Sequence, residues 1–175
     1  ALAIITAKHV FDGMRGKEMV EVALDENTFT NIQFSDVINV PKYDAAIVIL
    51  NRDSFEKSNK DFIPVDINSK PISPGQEVFV VGYPISESSI INKPRVSNGI
   101  VQTMGRDVKL DGYSLGYSSA TYVGMSGGGV FTKDGKLLAI HGRGEAIKST
   151  DINKTGTNFG IVINDIINYY RKIKI

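Results

Sequence analysis

Val123-Gly124-Met125-Ser126-Gly127-Gly128-Gly129-Val130 is the stretch on which the interpretation of this chain turns. A serine set among glycines suits a hydroxyl presented on a tight turn. The missing side chains let a substrate carbonyl approach closely, and bare backbone N–H groups can face the charge that grows on it. Alone, the run is equally an ordinary glycine turn. Two other segments change its weight. Thr6-Ala7-Lys8-His9-Val10 puts a histidine just after an apolar strand, and Tyr43-Asp44-Ala45-Ala46-Ile47-Val48-Ile49-Leu50 puts an aspartate just before another. Singly, His9 reads as a strand-end histidine and Asp44 as a turn or cap residue. Jointly, a hydroxyl, an imidazole and a carboxylate are the three parts of nucleophilic acyl transfer.

Composition narrows the alternatives. With 175 residues, 42% of them hydrophobic, the chain is long enough for one large domain or two small subdomains sharing a core. Twenty basic residues against nineteen acidic ones leave a net charge of +1, which gives no electrostatic argument for a nucleic-acid or anionic-membrane partner. No apolar run approaches the length of a membrane span. The absence of cysteine excludes disulfides and thiolate metal sites without fixing the compartment. Two histidines and no carboxylates clustered at ligand spacing leave no metal or cofactor expected. The start at Ala1, with neither methionine nor leader, reads as a processed or trimmed end. The compartment is not fixed, with a secreted or periplasmic one favoured.

The texture is that of short apolar strands separated by Gly, Asn, Asp and Pro turns. Strands are expected over 2–7, 18–24, 29–34 and 45–50, with Met19, Glu21 and Ala23 facing opposite to Val20, Val22 and Leu24. A polar surface loop over 51–60 and a connector over 63–75 follow. A second set is expected over 77–82, 94–104, 117–120, 128–131, 137–141 and 159–163. Lys133-Asp134-Gly135-Lys136 reads as a hairpin turn. Only the tail, about 163–173, reads as a helix, capped by Asn164-Asp165, with Ile163, Ile166, Ile167 and Tyr170 on one face and Lys172 and Lys174 at its end.

Taken together, the three motifs in the order His9, Asp44, Ser126 resemble the trypsin-like (chymotrypsin-fold) serine peptidases. Within that family the chain is similar to bacterial, Cys-free members. Gly124-Met-Ser-Gly-Gly and Ala139-Ile-His-Gly-Arg-Gly-Glu145 look like the trypsin-like peptidase domains common in cyanobacteria. The resemblance implies an all-β fold of two antiparallel six-stranded barrels with the site between them. Residues 1–68 would be the remainder of the first barrel, carrying His9 and Asp44. Residues 69–175 would be the second, carrying Ser126 and ending in the helix. It further implies Ser126 as nucleophile, His9 as base, Asp44 as orienter, and the N–H groups of Gly124 and Ser126 as oxyanion hole. The partner would be a protein or peptide substrate.

The same resemblance assigns the specificity pocket to the segment before Ser126 and the strand after it. Ala120 stands six residues before the serine, where trypsin has an aspartate, so a preference for Lys or Arg is not supported. Thr121 and His141 match the residues with which bacterial glutamyl endopeptidases contact a substrate carboxylate. A hydroxyl and an imidazole are suitable donors, and Arg143 could add a fixed charge. The expectation is a Glu or Asp preference, against the plainer alternatives of a barrel-wall histidine or a pocket for a small or polar residue. Gly142, Arg143 and Gly144 would pair with the substrate as an added strand.

Four departures from the family pattern stand out. Met125 replaces an aspartate that pairs with a new N-terminus, so trypsin-style activation is not expected. Gly142 replaces a serine that bonds the triad aspartate, so Asp44 needs another donor, backbone or water. Gly129 replaces a proline. The hairpin that precedes the His9 strand in the family is not in this sequence, and the expectation is that it was cut away, is disordered, or belongs to another chain. The competing functional readings are a Deg-like quality-control protease and a non-catalytic peptide-binding module.

Overall fold

The computed structural model describes residues 2–14, 19–23, 29–50, 65–85, 93–105, 111–146 and 154–173. Eleven strands and one α-helix are placed among them. Strands β1 (Leu2–Thr6), β4 (Val37–Asn39) and β5 (Ala46–Leu50) form a three-stranded antiparallel sheet in the order β1-β5-β4. Strands β2 (Met19–Ala23) and β3 (Phe29–Gln33) form a hairpin ladder. On β2 the alternation holds: Val20 is buried and Val22 half-buried, while Met19, Glu21 and Ala23 are exposed. Phe11, Val20, Ile32, Ala46, Val48 and Leu50 form one apolar cluster, so the two sheets close on a shared core. The described strands of this half form these two sheets, where the expectation was the remainder of a first barrel without its N-terminal hairpin. The loop expected at 51–60, and residues 63–64 of the connector, lie outside the described residues.

The second half closes fully. Strands β6 (Glu77–Gly82), β7 (Arg95–Met104), β8 (Leu115–Tyr117), β9 (Gly129–Thr132), β10 (Leu137–Ala146) and β11 (Lys154–Val162) form a closed barrel in the order β10-β11-β8-β7-β6-β9. Closure leaves no free edge. Its interior holds Val78, Val80, Val101, Leu115, Tyr117, Met125, Val130, Leu138 and Ala139, all essentially without solvent exposure. The Asp134-Gly135 turn joins β9 to β10 as expected: Gly135 takes φ +77°, and the Thr132 hydroxyl donates to Asp134 Oδ1 at 2.6 Å.

Four strands differ from the expectation, β4 having been expected nowhere and β11 starting at Lys154 rather than Phe159. β10 runs to Ala146 rather than His141, because Arg143 and Gly144 pair with Phe159 and Asn158 on β11 across a register shift. β8 ends at Tyr117, leaving 118–120 outside it. Helix α1 (Ile163–Ile173) follows β11 without a linker. Asn164 therefore lies in its first turn, where its side-chain amide donates to Asn68 O at 3.1 Å rather than capping. Ile163 and Ile166 are fully buried, with Ile167 and Tyr170 packed on the same cluster. No helix among the described residues is long and apolar enough to cross a membrane.

Candidate active site

His9 and Asp44 meet because the strands that carry them pair. β1 and β5 run antiparallel with Thr6 opposite Ala46, so the residues just beyond that last pair leave the sheet side by side. The chain turns into a 3-10 helix (Lys8–Met14), and Lys8 N–H donates to Asp44 O at 3.2 Å. The Asp44 carboxylate then grips His9 twice. Oδ1 accepts from the His9 backbone N–H at 2.8 Å, and Oδ2 lies 2.6 Å from Nδ1. An ionised carboxylate only accepts, so Nδ1 carries a proton and Nε2 is left as the acceptor of the neutral ring. The His9 side chain stays 38% exposed while that of Asp44 is 14% exposed, so the ring faces solvent more than the carboxylate does.

Ser126 sits on a turn built from left-handed glycines, Gly124 at φ +93° and Gly127 at φ +86°. The turn is stapled to β10, Gly127 N–H donating to His141 O and His141 N–H to Gly128 O, each at 2.8 Å. A Cβ on Gly127 would lie 2.1 Å from Thr6 Oγ1 and 3.2 Å from Ala7 N. The serine turn therefore rests against the end of β1, three residues ahead of His9. The Ser126 hydroxyl donates to Gly142 O at 2.9 Å, and His9 bonds Asp44 rather than Ser126. Exchange of partners is a rotation about χ1 between staggered wells, and such bonds often tighten only with substrate present. Met125 N–H is taken by Tyr122 O and Gly128 N–H by Met125 O, whereas neither Gly124 nor Ser126 N–H donates to another described residue.

The pocket candidates separate. His141 is 3% exposed in the barrel wall, its Nδ1 2.5 Å from the Tyr117 hydroxyl. Thr121 donates its hydroxyl to Asn158 Oδ1 at 2.6 Å, and Asn158 in turn donates to Ser119 O at 2.7 Å. Ala120 is exposed, Gly142 buried and Gly144 half-buried. Exposed Arg143 holds its guanidinium 4.7 Å from the centre of the Tyr113 ring. A cleft of about 320 Å³ runs beside His9 and Asp44, lined also by Lys8, Asp12, Tyr43, Asp111 and Arg143. No group of metal-ligating side chains occurs among the described residues.

Three contributors escape sequence reasoning: Tyr113, Tyr117 and Asn158. Tyr113 supplies the donor that was expected from backbone or water, its hydroxyl lying 2.5 Å from Asp44 Oδ2. Burial first, then the hydrogen bond to Asp44 and its charge, push the Tyr113 hydroxyl far above the usual tyrosine range. Burial, with a smaller contribution from Tyr113, does the same to Tyr117. The only sequence hint was negative, the bare Gly142.

Both raised values carry a sign for stability. A tyrosine held neutral by the fold contributes fully below its unfolded value near 10. Above that the unfolded chain ionises first, and stability is lost as the pH rises. Unfolding free energy by urea titration is expected to fall above about pH 10, by up to roughly 1.4 kcal/mol per pH unit for each of the two residues. Tyr117→Phe should flatten that slope.

Comparison with curated proteins gives no match. Among solved structures the fold is similar to a variant of the HtrA-type protease AlgW with decapeptide, at 22% identity and TM-score 0.72 over 98% of this chain and 47% of that one. It is also similar to AlgW with tripeptide, at 23% identity and TM-score 0.71 over 98% of this chain and 52% of that one. Deg5 matches at 17% identity and TM-score 0.63 over 95% of this chain and 75% of that one. The chain spans about half the length of the AlgW structures it matches. The trypsin-like peptidase domain matches residues 1–140, a span that holds His9, Asp44 and Ser126, and the chain belongs to that family.

Proposed function

We propose that this chain is the catalytic domain of a serine endopeptidase working through Ser126, His9 and Asp44. Ser126 Oγ attacks the scissile carbonyl as its proton passes to His9 Nε2. The oxyanion is met by the N–H groups of Gly124 and Ser126. His9 then gives the proton to the leaving amine, and water repeats the sequence on the acyl-enzyme. Asp44 holds the ring in the tautomer that leaves Nε2 as acceptor. One observation carries this reading: the double grip of Asp44 on His9 beside a serine turn that abuts the same strand end.

Labelling with a fluorophosphonate probe tests it. Covalent modification at Ser126 is the expected result. An unmodified, folded protein would favour the peptide-binding module, the alternative that the Ser126–Gly142 contact supports. The HtrA-type neighbours, one with decapeptide and one with tripeptide, support a Deg-like protease as the alternative within the enzyme class.

For specificity we propose Glu or Asp before the cut, with Thr121 and His141 as donors. Tyr117 supports this. Its hydroxyl lies 2.5 Å from His141 Nδ1, and in the tautomer in which it donates there the imidazole proton stands on Nε2, which makes that nitrogen a donor. Cleavage of a peptide library should therefore favour acidic residues. His141→Ala should lose that preference by about tenfold or more while keeping probe reactivity. Equal cleavage after Leu, Ala or Lys by the unaltered protein would remove the acidic assignment.

A further inference from the structure

We propose that Tyr113 is the positioning residue that sets Asp44 for His9, and that Gly142 is bare in order to admit its hydroxyl. This rests on the triad proposed above. The Tyr113 hydroxyl and His9 Nδ1 converge on one oxygen, Asp44 Oδ2, at 2.5 and 2.6 Å, while Oδ1 takes the His9 backbone N–H. Two of these three donors belong to His9 itself and would move with it. Tyr113 alone refers the carboxylate to another part of the molecule, the approach to β8 in the closed barrel.

The hold is built over three successive residues. Asp111 O accepts from Asp44 N–H at 2.7 Å. Gly112 lies flat against the Tyr43 ring, and a Cβ there would come within 2.1 Å of Tyr43 Cδ1. Tyr113 then reaches the carboxylate. Such tight succession uses left-handed backbone at both Asp111 (φ 51°) and Gly112 (φ 81°), and for an aspartate that conformation is uncommon. Tyr113 is 2% exposed and packs in the cluster of Val40, Ala45, Ile47 and Ile161, so its ring is not free to leave. Arg143 covers the ring.

Gly142 leaves the space that the Tyr113 hydroxyl occupies. A Cβ at that position would lie 2.1 Å from Tyr113 Oη. A side chain at 142 and the tyrosine hydroxyl therefore claim the same space. The two positions form an exchange pair: a hydroxyl on residue 142 would stand where the phenol now stands.

Tyr113→Phe keeps the ring and deletes the donor. The expected result is a kcat about tenfold lower with KM changed less than about twofold, because substrate contacts are untouched. Carboxylate charge no longer shared with the phenol acts more strongly on the His9 Nδ1–H, so the proton NMR signal of that group moves. The chain has two histidines, so NMR reads His9 against His141 as internal reference. Lys8, Asp12, Asp111 and Arg143 face the same cleft in both proteins, so the difference isolates the hydroxyl.

The second comparison is Tyr113→Ala against Tyr113→Ala with Gly142→Ser. The added hydroxyl should recover at least about threefold in kcat over the single variant. A Tyr113→Phe protein with unaltered kcat and an unmoved His9 Nδ1–H signal overturns the proposal, as does a Gly142→Ser change that recovers nothing. A starting protein that never labels at Ser126 overturns the peptidase reading instead. In that case the His9 Nδ1–H signal still decides the role of Tyr113.

Discussion

Ser126→Ala is expected to lower turnover by about four to six powers of ten and to abolish fluorophosphonate labelling, with no loss of folding. The residue is half-buried on a turn whose shape is set by its glycine neighbours, and the single bond its hydroxyl makes is to Gly142 O. Deleting the hydroxyl therefore removes chemistry and little else. His9→Ala should cost about as much, and the double variant no more than either single one, because nucleophile and base act as a unit.

Asp44→Asn separates orientation from charge. Its Oδ1 could still accept from His9 N–H, but its amide would face both Nδ1 and the Tyr113 hydroxyl, where two acceptors or a donor clash replace two good bonds. The imidazole would then be turned to the tautomer with its proton on Nε2, which cannot take one from serine. A loss of about 10⁴ in kcat is expected. The measurement is kcat on one peptide substrate with each variant checked for thermal unfolding. Additive losses in the double variant would mean that Ser126 and His9 do not cooperate, and the triad would fail.

What the amino-acid sequence made legible follows the range of the interactions involved. β6 shows as an alternating Val-rich run because burial on one face of a strand writes a period of two into the sequence. The Asp134-Gly135 hairpin shows because a left-handed residue is required within a few positions of the turn. The inward face of α1 shows for the same local reason. β10 beyond His141 does not show, since Gly142 and Gly144 around Arg143 carry the composition of a turn. Only pairing with β11 makes them strand.

The site divides in the same way. His9 and Asp44, which the structure brings together, and the Ser126 turn were legible as candidates because each is framed by its own strand end or glycine turn. Tyr113 was not. It lies 69 residues from the carboxylate it bonds, and nothing in its neighbourhood marks it as different from any buried tyrosine. Asn158, which ties Thr121 to Ser119 O, is hidden for the same reason, 37 and 39 residues from its two partners. Sequence reveals which residue types are placed by short-range rules. It leaves unmarked the residues placed by barrel closure.

Gly124→Ala carries the second large effect. At φ +93° an alanine already strains the backbone, and here its Cβ would come 2.5 Å from Ile85 N and 2.9 Å from Tyr83 O. Both neighbours are main chain, so no side-chain rotation relieves the clash. The 83–85 segment is itself tied to the turn, Ile85 N–H donating to Val123 O at 2.8 Å. The Val123–Gly124 peptide must therefore shift, and with it the N–H assigned to the oxyanion. Loss of one such donor is worth about 10²–10³ in kcat, with KM little changed, because the donor meets charge that exists only in the transition state. Gly75→Ala is the control. It stands at φ +86° with nothing within 4 Å of an added Cβ, so it bears the left-handed strain without the clash. That strain costs about 1–2 kcal/mol in either variant. Comparable losses of stability with a kcat collapse in Gly124→Ala alone are the expected pair of results. Equal kcat in the two variants would take the oxyanion role away from Gly124 and leave the turn a purely structural one.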